Sequence, residues 1–176
     1  MSMNGVIVRL TESDLAWLRN YTPGRTGQSD DESGVRPSGD RTEAWFSADN
    51  PNAYELEEAF AGVHFLLTGS HPGGDGPPSF VANAAYGESV PYDLGFGPGR
   101  VFESPAVGAI ADSIESLSAK AVRQRLESDE LRSLHPFAQR PLEDDDKEWL
   151  LAVLQGLMTF MRRAATDGVP VLVAVV

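Results

Sequence analysis

The last eight residues constrain this chain more than any other segment. Val169-Pro170-Val171-Leu172-Val173-Ala174-Val175-Val176 is apolar at every position from Val171 onward, and six residues fall far short of the roughly 20 that span a bilayer. Such a run reads as a β-strand covered on both faces, because a half-solvated strand alternates apolar with polar. The fold must therefore place layers on either side of a sheet with this strand at its centre. Gly5 to Leu10, also β-branched and apolar without alternation, predicts a second interior strand within residues 3 to 10.

Between these ends the apolar residues recur mainly at helical spacing. Thr11-Glu12-Ser13-Asp14 resembles a capping box opening a helix to about Asn20, with Leu15 and Leu18 inward. Asn50-Pro51 predicts another helix start, and Leu56, Ala59, Phe60, Val63, Leu66 and Leu67 give that helix its stripe, with Gly69 ending it in the left-handed conformation. Ser104-Pro105 predicts a third, buried through Val107, Ile110, Ala111, Ile114 and Leu117. Ser118 predicts a cap for a fourth, buried through Val122 and Leu126. A short turn follows over Asp129 to Leu134, ended by His135-Pro136. Glu143-Asp144-Asp145-Asp146 then leads into a long helix stopped at Asp167-Gly168, with Arg162-Arg163 near its end; both charge groups complement the helix dipole. Strands at both ends and helices between predict an α+β protein: one domain over 1–176, a small mixed sheet with its N- and C-terminal strands central, packed against several helices.

Three stretches resist this reading. Tyr21 to Thr42 holds Gly, Ser, Pro, Asp and Arg with few large apolar residues, and predicts a mobile polar insertion at about 21–45. Ser79 to Tyr86 fits a strand or a helical turn equally. Gly87 to Arg100 reads as an extended segment pinned by Tyr92, Leu94 and Phe96 rather than regular structure, with Arg100 to Glu103 as a short strand.

Charge and composition exclude several function classes. With no cysteine there is no disulfide, thiolate metal site or cysteine nucleophile. The N-terminus lacks a basic region followed by an apolar core, so a cytoplasmic location is expected. A net charge of −12 repels phosphate backbones and anionic lipid surfaces, which argues against nucleic acid and membrane as partners and favours a basic protein partner. The plainer account of that acidity is solubility.

The densest group of reactive side chains is His64, Ser70, His71 and Asp75, at a helix end and the glycine-rich loop after it, where sites tend to lie. A metal would need His64, His71 and Asp75 to converge, and their spacing matches no standard ligand signature. Gly69-Ser70-His71-Pro72-Gly73 is not a nucleophile elbow, since histidine holds the central position and a helix precedes it. Gly95-Phe96-Gly97-Pro98-Gly99-Arg100 lacks the Gly-Lys-Ser/Thr ending of a phosphate loop. Tyr92, Asp93 and Arg100 could line a pocket beside the His64 loop, with Arg100 recognising an anion, or Asp93 and Arg100 could form a surface pair.

The opening Met1-Ser2-Met3-Asn4-Gly5, the segment Leu56 to Gly69 ending in His64-Phe65-Leu66-Leu67-Thr68-Gly69, the stretch Gly97-Pro98-Gly99-Arg100-Val101-Phe102 running into a helix, and the final Leu172-Val173-Ala174-Val175 resemble the YfbM-like family. These are small bacterial proteins with a mixed α/β domain of unknown function. The likeness covers most of the chain outside 21–50 and implies a fold and a bacterial cytosolic setting; it supplies no catalytic residues. Where the family pattern has a lysine and a tryptophan in the central helix, this chain has Glu58 and Phe60.

No catalytic residue and no cofactor follow from these observations, and the oligomeric state is open. The primary expectation is a non-enzymatic interaction or binding protein engaging a basic partner. The alternative is a small-ligand-binding protein or hydrolase-like enzyme using the His64 to Asp75 loop with Arg100.

Overall fold

A computed structural model describes residues 5–20, 40–71, 87–94, 98–134 and 142–175. Strand β1 (Gly5–Arg9) leads to helix α1 (Glu12–Asn20). Then come α2 (Asp40–Trp45), β2 (Ala53–Glu57) and α3 (Phe60–Thr68), the strands β3 (Glu88–Asp93) and β4 (Pro98–Phe102), helices α4 (Ser104–Glu115), α5 (Ala119–Leu126), α6 (Asp129–Arg132) and α7 (Asp144–Asp167), and β5 (Val171–Val175). The strands form one sheet in the order β2-β1-β5-β4-β3, and every pairing is antiparallel. This is the expected α+β fold, with the two terminal strands paired in its interior and β5 at its centre, but the sheet is antiparallel throughout and not mixed.

The uninterrupted apolar run of β5 follows from that position. Val171 and Val173 pack with Ile7 and Phe102 against α3, α4, α5 and α7, whereas Leu172 and Ala174 pack with Val6, Val8 and Val101 against Leu18 of α1 and Trp45 of α2. Alternate residues enter different cores, and neither face is left for water. Helix α7 closes the larger core with Leu150, Leu154, Leu157, Met161 and Ala164, which recur at spacings of four and three along one stripe.

Capping chemistry follows the sequence in most places. The Asp14 amide donates to Thr11 Oγ1 and the Thr11 amide donates back to the Asp14 carboxylate, completing the box at α1. Ser118 accepts from the Ala121 amide at α5. Gly69 and Gly168 end α3 and α7 in the left-handed conformation, at φ 74° and 65°. At α4 the N-cap is Glu103 rather than Ser104, so Pro105 occupies the second helical position.

Four expectations are corrected. Asn50-Pro51 opens a turn and not a helix: the Ala53 amide donates to the Asn50 carbonyl at 3.0 Å, the Asn52 amide donates to the Asn50 side chain at 2.9 Å, and β2 follows. Leu56 therefore lies on a strand, and α3 begins only at Phe60. Gly87 to Arg100 contains regular structure, because β3 and β4 pair antiparallel. Residues 40–45 of the expected polar insertion are helical, with Thr42 and Trp45 buried; the Trp45 indole donates to Asp14 at 3.2 Å and meets the Trp17 ring edge-on. Finally, α7 ends at Asp167 as expected, but its last turn carries no basic residue and Arg162 does not act on the helix end: it bonds sideways to Asp112 at 2.8 Å and Glu115 at 2.5 Å, joining α7 to α4. The rest of the 21–45 insertion, residues 79–86 and His135-Pro136 lie outside the described residues.

Candidate functional site

Helix α3 is apolar nearly all round and sinks into the core from Ala61 to Leu66, and the requirement to satisfy its terminal carbonyls organises the polar side chains around it. The last turn of a helix leaves carbonyls without intrahelical donors. Here the Phe65 carbonyl accepts from the Gly69 amide at 2.7 Å, the His64 carbonyl from Thr68 Oγ1 at 2.9 Å, and the Leu66 carbonyl from the Arg125 guanidinium at 2.5 Å. Arg125 comes from α5, and its charge at a helix C-terminus also complements the dipole.

His64 lies inside this arrangement, only 2 % exposed. Its ring hydrogen-bonds the His71 backbone, while burial, the larger effect, pushes the imidazole below the usual histidine range. The chain after Gly69 thus folds back across the helix end. Ser70 is tied into the same turn, its amide donating to Thr68 Oγ1 at 3.1 Å and the two hydroxyls 3.0 Å apart. His71 is exposed and meets the Phe65 ring edge-on at 6.2 Å. It faces Glu130, whose carboxyl is held below the usual carboxylate range, first by the Ser128 hydroxyl, then by its own backbone amide, and least by His71.

Of the predicted site residues, the structure brings His64, Ser70 and His71 together. Arg100 is half-buried on β4, opposite Val173 on one side and Ser89 on the other. Asp93 pairs with Pro98 in the backbone register of the β3–β4 hairpin rather than with Arg100; its side chain, that of Tyr92, and Asp75 lie outside the described residues. Sequence reasoning missed Arg125, which stands 59 positions from Leu66, and Glu130 beyond it, and no local pattern marks either as a neighbour of α3.

His64 is enclosed, whereas a general base must reach the proton it takes, so His64 is not placed to act as one. No group of three or more histidine and acidic side chains that could hold a metal ion occurs among the described residues. No described helix is long and apolar enough to cross a membrane.

An antiparallel sheet sandwiched between helices, with polar groups consumed in closing one of them, defines an α+β domain. The chain belongs to the family described as a domain of unknown function, DUF1877, whose model matches residues 1–174. It is also similar to the crystal structure of YfbM, a protein of unknown function from Escherichia coli, at a TM-score of 0.67 and 16 % identity over the full length of both chains. No curated protein matches the sequence.

Proposed function

We propose that this protein acts by binding, engaging a basic protein partner through one acidic corner. The observation that carries this reading is the meeting of α5, α6 and the start of α7. Lys147 bridges Glu127 at 2.9 Å and Asp144 at 3.5 Å, which draws the first turn of α7 against the end of α5. Glu127, Asp129, Glu130, Glu143, Asp144 and Asp145 are all exposed there. Lys147 and Arg132, which pairs with Asp129 at 2.9 Å, leave six carboxylates in excess by four, and a concentrated field of one sign accelerates encounter with a partner of the other. The burial of His64 supports binding over catalysis.

Titration with a lysine- and arginine-rich peptide tests the proposal, comparing the wild type with two variants of equal net charge. E127Q/D144N/D145N removes charge at the corner; E12Q/D49N/E55Q removes it from exposed positions elsewhere. Localised recognition predicts that only the corner variant loses affinity, at least tenfold at low salt. Equal losses would mean that the acidity serves solubility alone.

A further inference from the structure

The outward face of α7 carries a pattern that the core does not use and that overlaps the acidic corner only at the first turn of the helix. At 3.6 residues per turn, Glu148, Leu151, Ala152, Gln155, Met158 and Thr159 fall on one stripe centred on Gln155, together with Arg162, which is already held by Asp112 and Glu115 of α4. Leu151, 40 % exposed, is the large hydrophobic side chain left in water among the described residues, and Met158 beside it is half-buried. Shallow grooves of about 500 and 510 Å³ flank the stripe, and Gln155, Thr159 and Arg163 line both. A ridge between two grooves is the shape a second helix packs against.

The charges along this ridge name the occupant. Its beginning is acidic, with Asp144, Asp145 and Glu148 exposed; its far end carries Arg163, 69 % exposed and only loosely paired with Asp167 at 4.0 Å. Glu148 and Arg163 lie about 10 and 12 Å from Gln155 in opposite directions, from the rise of 1.5 Å per residue. A parallel copy would set like charges together, whereas an antiparallel copy sets opposite charges together at both ends.

We propose that this face is a homodimer interface in which two copies pack α7 against α7, antiparallel, about a two-fold axis beside Gln155. Leu151 then meets Met158 of the second copy, Ala152 meets its Thr159, and Arg163 meets its Glu148 and Asp145. Each contact occurs twice, as an isologous interface requires. Ala152 and Thr159 are small enough to let the helices approach, and the exposed leucine is covered.

Because the chain has no cysteine, Gln155→Cys introduces a single thiol at the axis. Helices packed about 9–10 Å apart, each with its Cα atoms on a radius near 2.3 Å, bring facing Cα atoms to about 4.4–5.4 Å, within reach of a disulfide. Under mild oxidation Q155C should give a covalent dimer in high yield, while Gln124→Cys, exposed on α5, should not. Sedimentation supplies the second arm. Glu148→Arg and Arg163→Glu should each weaken association at least tenfold, and the double reversal E148R/R163E should restore it. A wild-type monomer at every concentration, equal crosslinking at 155 and 124, or a double reversal no tighter than either single change would overturn the proposal.

Discussion

Tyr54 on edge strand β2 lies across Gly156 in the middle of α7, and its hydroxyl donates to the Val153 carbonyl at 2.7 Å. A Cβ built at Gly156 would fall 2.8 Å from Tyr54 Cζ and 2.9 Å from its Cε2. The glycine is therefore there to let the ring approach, although alanine would be the better helix former. Gly156→Ala should destabilise the protein by about 1–3 kcal/mol, since the ring must be displaced. Tyr54→Phe, which keeps the ring and loses the bond, should cost about 1 kcal/mol. Urea unfolding of both variants checks the order.

Two other glycines give opposite expectations. Gly69 adopts φ 74° with Arg125 against it at 3.2 to 3.5 Å, so Gly69→Ala strains the backbone and should cost about 1–2 kcal/mol. Gly108 sits within α4 with nothing inside 4 Å of a built Cβ, and Gly108→Ala should stabilise by about 0.5–1 kcal/mol. Thermal melts of the pair should move in opposite directions.

The start of α7 rests on a reciprocal box in which Glu143 accepts from the Asp146 amide and the Glu143 amide donates to Asp146 at 2.9 Å. Asp146 is buried to 8 % exposure while Asp144 and Asp145 are in water. Of these three aspartates, Asp146→Ala should cost the most, about 1–2 kcal/mol. Equal effects at all three positions, measured by chemical unfolding, would show that bulk negative charge and not the box holds the helix start.

Much of this fold was legible in the sequence because its signals were local. The uniform apolarity of Leu172 to Val175, the box at Thr11 and Asp14, the cap at Ser118 and the left-handed stops at Gly69 and Gly168 each need only a few neighbouring residues. The failures share a cause. Asn50-Pro51 predicts a helix start, yet an asparagine accepting from the amide two residues on, with proline next, starts a turn equally well. Only the pairing of Ala53 to Glu57 with β1 decides between them. The β3–β4 hairpin likewise depends on cross-strand bonds that Gly and Pro content obscures. At the candidate site, the turn joining His64 to His71 lay within reach of sequence reasoning, but Arg125 and Glu130 arrive through tertiary packing and leave no trace in the spacing.

The polar groups at the end of α3 close that helix and complete the fold, and the protonation of His64 tests this role most directly. A buried imidazole with a lowered pKa favours the neutral form in the folded state. Its stabilising contribution is thus fully present above the unfolded value of about 6.5 and is lost as pH falls through the folded one. Following the His64 ring by NMR across a pH titration, alongside urea unfolding at each pH, should give a midpoint below the ordinary histidine value and a stability that declines on acidification. A midpoint at or above that value, with stability indifferent to pH across the same window, would contradict the account and restore His64 as a solvent-facing, reactive group.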